Sequence, residues 1–118
     1  MSLPIPNKVP ELGFYYHYKH DPSGPINNYA YEVVGVGFHT EADARTGEEH
    51  FVVYRPLYDA SVYNASQELG IPCFDNRPLE MWLGEVEKDG QVISRFQKIT
   101  DPAIIAKLEK VRDEMYQS

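Results

Sequence analysis

Hydrophobic and polar positions alternate in short runs from Gly13 to about Ile99 and then change to helical spacing. Phe14 to Lys19 is dense in aromatic residues and is bounded by Gly13 and by Asp21-Pro22-Ser23-Gly24-Pro25. It predicts a first strand, with Tyr15, His17 and Lys19 on one face and Phe14, Tyr16 and Tyr18 on the other. Tyr29 to His39 predicts a second strand, with Val34, Val36 and Phe38 opposing Tyr31, Val33, Gly35, Gly37 and His39. Two glycines on one face mark a bend, a bulge or a close approach. The polar stretch Ala42 to Gly47 reads as a loop, and Glu48 to Tyr58 as a third strand. Pro56 cannot donate to a ladder, so that strand leaves the sheet or lies at an edge there.

Asp59 to Phe74 carries no clear period beyond one or two helical turns over Asn64 to Leu69, and Pro78 suits the start of a short turn over Arg77 to Trp82. Leu83 to Glu87 and Gln91 to Ile99 flank Lys88-Asp89-Gly90, where Asp-Gly readily adopts the positive φ of a tight hairpin. Asp101 and Pro102 then provide a cap and a first turn for a helix whose Ile104, Ile105, Leu108, Val111 and Met115 share a face. The fold class is therefore mainly β: a small barrel or strongly twisted antiparallel sheet of about five strands with a C-terminal α-helix. Residues 1–12 form an extended, proline-punctuated arm, 13–99 the β domain, and 100–118 a helix docked on it or used in a dimer contact.

At 118 residues the chain is one domain's worth. With 25% charged and 42% hydrophobic residues it has neither a disordered nor a membrane composition. Its net charge of −7 resides mainly in residues 13–100 and disfavours non-specific binding to nucleic acid. Cys73 is the only cysteine, which excludes an intrachain disulfide and suits a reducing, cytoplasmic setting. No export signal or membrane segment is visible. Nine tyrosines supply rings with polar tips, equally suited to a small core and to a recognition surface.

Several blocks, in order, resemble a known family: Gly13 to Lys19, Tyr31 to Val36, His39-Thr40-Glu41, Val52 to Tyr58, Arg77 to Trp82, Glu85-Val86 and Arg95-Phe96. They are similar to the bacterial family known as domain of unknown function 1653, over about residues 13–97. The resemblance implies a compact, SH3-like β domain and no established activity. His20 and Asp59 depart from the glycines expected at those places, and Asn64 to Phe74 looks like an insertion.

Within these blocks the polar residues His17, Tyr18, Lys19, His39, Glu41, Tyr54, Arg55, Tyr58, Arg77, Glu80 and Arg95 are the candidates for chemistry. An arginine in an apolar-patterned strand either bridges an acid, here Glu41, Glu80 or Glu85, or holds a ligand, because its five donors want planar acceptors. Tyr18, Lys19, Tyr54, Arg55, Tyr58 and Arg77 are accordingly expected to line an aromatic and basic groove for a small anionic or peptide-like ligand. On this reading the chain is a non-catalytic recognition module, monomeric or homodimeric, that needs no cofactor. Two alternatives use the same residue types. One is stacking of single-stranded nucleic acid on the tyrosines, against which the net charge argues. The other is an enzyme or metal site built on His17, His39 and Glu41. The sequence has no GxSxG elbow, HExxH pair or glycine-rich phosphate loop.

Overall fold

The structure, a computed structural model, describes residues 3–41 and 47–116. The loop expected over 42–46 lies outside the described residues. In chain order the elements are β1 (Gly13–His17), β2 (Ala30–Phe38), β3 (His50–Pro56), α1 (Ser61–Leu69), β4 (Asp75–Pro78), α2 (Leu79–Trp82), β5 (Glu85–Lys88), β6 (Gln91–Ser94), β7 (Phe96–Lys98) and α3 (Pro102–Met115). Five strands form an antiparallel sheet in the order β4-β3-β2-β1-β7, and β5 and β6 form a separate hairpin. The Asp89-Gly90 turn has φ of 53° and 78°, the double positive angle that the dipeptide predicts.

The sheet does not close, so of the two expected forms the barrel gives way to the twisted sheet. Five flat strands would hold their outer edges roughly 19 Å apart. Here the Arg77 guanidinium, from one edge strand, lies 5.3 Å from the Phe96 ring centre, from the other. The sheet is therefore strongly curled, and side chains instead of a hydrogen-bond ladder span the remaining gap. Trp82 stacks on Phe96 at 3.7 Å and meets Tyr15 and Tyr54 at 5.4 and 4.8 Å. Together with Val33, Val52 and Leu79 these rings form the core of the concave face.

The convex face is covered by α3. Asp101 accepts a hydrogen bond from the Ala103 amide at 2.9 Å and so fixes where the helix begins. Ile104, Ile105, Leu108, Val111 and Tyr116 pack on Phe14, Ala30, Leu57 and Ile99, so the helix buries its apolar face on its own sheet.

A bulge between Val33 and Gly35 corrects the strict alternation expected along β2. Val34 is the extra residue, and beyond it Val36 pairs with Val52. Val36 thus shares the concave face with Val33 and Tyr31, whereas uninterrupted alternation puts it on the opposite face. Gly35 has nothing within 4 Å of where a Cβ would stand, so the ladder is free to slip there. Asp75–Pro78 is a second correction: it is a strand, and the short helix starts one residue after Pro78.

Candidate functional site

The end of the concave face near the β1 terminus collects the chain's unusual polar groups. Cross-strand register explains why. Asp75 and Arg77 lie opposite Tyr54 and Val52, both core residues of the concave face. His17 lies opposite Phe96, another member of that core. Arg95 is the corner at which the chain leaves the hairpin and joins the main sheet: its amide donates to Gly84 O, and its carbonyl accepts from the Tyr18 amide.

His17 is held by aromatic neighbours, with Tyr18 at 4.4 Å, Tyr29 at 5.6 Å and Phe96 at 5.1 Å between ring centres. Its Nδ1 accepts from the Lys19 amide at 3.2 Å, so in the neutral ring the proton is on Nε2. Burial, then the charges of Arg77, Lys19 and Arg95, push its pKa down to about 4. The ring is neutral at pH 7, which gives its Nε2–H the capacity to donate.

The two arginines beside it are not matched by acids. Among the described residues the Nε atoms of Arg77 and Arg95 are buried without a hydrogen-bond partner. Neither guanidinium is within 4.0 Å of a carboxylate there. Tyr31 and Tyr58 join hydroxyls at 2.6 Å, and burial raises the pKa of both phenols, Tyr31 by far the more. Asp75 completes the group, its carboxyl raised by burial and partly restored by the charge of Arg77. A chain of net charge −7 thus has one locally cationic face.

Of the residues expected in a groove, Tyr18, Lys19, Tyr54, Tyr58 and Arg77 belong to this face or its rim, although Tyr54 is buried at 6% exposure. Arg55 does not join them. It projects from the other side of β3 and pairs with Glu32, its cross-strand partner, through Nε and Nη2, each 2.9 Å from Oε1. Glu32 also receives Arg112 of α3 at 3.0 Å. The acid that engages Arg55 is therefore neither Glu41, Glu80 nor Glu85. Arg95 and His17 belong to the site through geometry, as do Tyr29, Tyr31 and Asp75, which sequence reasoning left aside.

His17 and His39 do not meet. His17 bonds to Tyr29 at the start of β2, and His39 follows its end, roughly 30 Å away along an extended strand. Nδ1 of His39 accepts from the Glu41 amide at 3.0 Å. Among the described residues no group of three or more His, Cys, Asp or Glu is placed to hold a metal ion.

Two grooves, of about 440 and 310 Å³, flank the N-terminal arm, and none of His17, Asp75, Arg77 and Arg95 lines either. The first is lined by two lysines, Lys8 and Lys98, and Lys98 faces Glu11 at 3.6 Å. Unmatched charge, not enclosed volume, singles out the candidate face, because half-burying a charge without a partner costs folding free energy.

The His17 shift predicts a pH dependence. A folded pKa below the unfolded one gives stability that is complete above about pH 6.5 and falls as pH drops toward 4. Asp75, raised in the folded state, acts in the opposite sense, so the comparison requires a variant. Between pH 7 and 4.5 the wild-type urea midpoint is expected to fall more than that of His17→Gln. Identical slopes would show that the ring titrates normally.

In the described residues no helix is long and apolar enough to cross a membrane. Comparison with curated proteins finds no match. Among solved structures the chain is similar to a crystal structure of a DUF1653 protein from Bordetella bronchiseptica, with 26% identity, a TM-score of 0.50, and coverage of 75% of this chain and 86% of that one. The family profile described as "Protein of unknown function (DUF1653)" matches residues 13–98, a span that includes every residue of the cationic face and leaves out the arm and α3. The chain belongs to the DUF1653 family.

Proposed function

We propose that this protein is a non-catalytic recognition module that binds a small anionic or peptide-like ligand at the face formed by His17, Arg77, Arg95 and the surrounding tyrosines. One observation carries the reading: two half-buried guanidiniums, neither within 4.0 Å of a carboxylate among the described residues, flank a histidine kept neutral. Such donors match the oxygens of a carboxylate or phosphate, and charge-assisted bonds in a partly desolvated place are the strong ones. A compact anion fits better than a nucleic-acid strand, because the rest of the surface is acidic and repels an extended phosphate backbone. Lone Cys73, with no disulfide partner in the chain, supports a cytoplasmic setting.

Titration with inorganic phosphate, followed by amide chemical shifts, tests this. Changes are expected at His17, Arg77 and Arg95 and are expected to weaken with added salt. Arg77→Gln and Arg95→Gln are each expected to loosen binding by about 10-fold or more, the loss of one charge-assisted hydrogen bond. Saturation that leaves these resonances unmoved would overturn the reading.

A further inference from the structure

Resting on that anion-binding reading, we infer that the ligand is a zwitterion, with an ammonium head held by Asp75 and the tyrosines and an acidic end held by Arg77 and Arg95.

The first observation is a pair of opposite charges left apart. Asp75 and Arg77 project from the same side of β4, two residues apart, yet no ion pair joins them. Their backbone separation is about 7 Å. Among the described residues the Asp75 carboxylate also has no charged partner within 4.0 Å, although it is half-buried. A half-buried carboxylate without a cation is costly unless something else supplies one.

The second observation is what surrounds that carboxylate. Tyr54 is its register partner. Tyr31 packs edge-on to Tyr54 at 5.4 Å and to Tyr58 at 5.7 Å, and Tyr29 leans on Tyr58 at 6.0 Å. A carboxylate amid aromatic rings is the chemistry that recognises ammonium and quaternary ammonium groups.

The third observation is strain. Tyr29 has φ of +52°, in the left-handed region that bulky residues avoid, and the residue is 39% exposed. The fold holds a large aromatic side chain, at a conformational cost, between His17 and Tyr58 and open to solvent. Short aminoalkyl phosphates carry an ammonium and an acid a few bonds apart, either free or as a lipid headgroup, and so match a carboxylate and a guanidinium presented two residues apart on one side of β4.

Calorimetry on the intact protein with phosphocholine, inorganic phosphate and choline tests the inference. Phosphocholine is expected to bind at least 10-fold tighter than phosphate, and choline weakest. Asp75→Asn, which keeps the side chain's shape, is expected to remove the phosphocholine advantage, so that the variant binds phosphocholine no tighter than it binds phosphate. Tyr29→Asn is a second variant, because asparagine tolerates a positive φ. It is expected to cut the phosphocholine advantage in the same way. Binding to phosphatidylcholine vesicles that Asp75→Asn abolishes assigns the headgroup source; binding of free phosphocholine alone assigns the soluble one. If phosphate binds and phosphocholine is no tighter, the zwitterion inference falls and the anion site stands. If neither binds, both fall.

Discussion

Trp82→Ala is expected to lower folding stability by about 3–5 kcal/mol, the range for truncating a large buried aromatic. The indole is 2% exposed, stacks within 6° of parallel on Phe96, and meets Tyr15 and Tyr54 as well. It fills the space that a closing ladder would occupy in a barrel, so its removal leaves a cavity between the two halves of the curled sheet. The loss is a large share of the roughly 5–15 kcal/mol that holds a typical domain together. Because Trp82 is the sole tryptophan, unfolding of the variant must be followed by circular dichroism instead of indole fluorescence. Trp82→Phe is expected to recover part of the deficit. A loss below about 1 kcal/mol would mean that the gap collapses without cost and that the indole is not its keystone. Phosphate affinity is expected to fall too, since Phe96 is the surface on which the Arg77 guanidinium rests.

The second large effect is expected on the convex face. Glu32 is 13% exposed and receives Arg55 at 2.9 Å and Arg112 at 3.0 Å, while Arg55 lies 4.1 Å over the Tyr116 ring. Glu32→Gln leaves two guanidiniums facing each other without their shared counter-charge. Removing one member of a buried ionic cluster costs about 3–5 kcal/mol; the arginines here keep some water, which reduces the expectation to about 2–3. The urea midpoint reads this directly, and hydrogen exchange is expected to quicken across α3, the element that Arg112 ties down. Glu114→Gln on the exposed side of the same helix is the control, with a change of about 0.5 kcal/mol or less expected. Equal shifts in the two variants would show that the triad contributes nothing beyond surface charge.

Local chemistry was legible in the sequence, and long-range pairing was not. Asp101, Pro102 and the Asp89-Gly90 turn act within a few residues of themselves, so the final helix and the hairpin could be read directly. β4 could not: its four residues are strand only because β3 supplies the partners, and Pro78 disguises them as a helix start. α1 has Ala60 at its N-cap, which offers no side-chain acceptor, so its first turn carries no signal. Two neighbouring glycines flagged the β2 bulge, but the resulting change of face is a property of the pair of strands. The site divided along the same line. Arg77 stood out within a family block. Asp75 fell just past the stretch with no readable period and just before the family block at Arg77, and Arg55 was misplaced for want of its register partner Glu32.

An open curled sheet also keeps two flanks that a closed one would lack. Among the described residues no further strand joins the ladder outward of β4 and β7, so another molecule's main chain can add itself there. Pro78 withholds a donor from one flank, and the other is only three residues long and ends on a lysine, Lys98. Both flanks are therefore poor templates for edge-to-edge pairing, which opposes fibrous self-association.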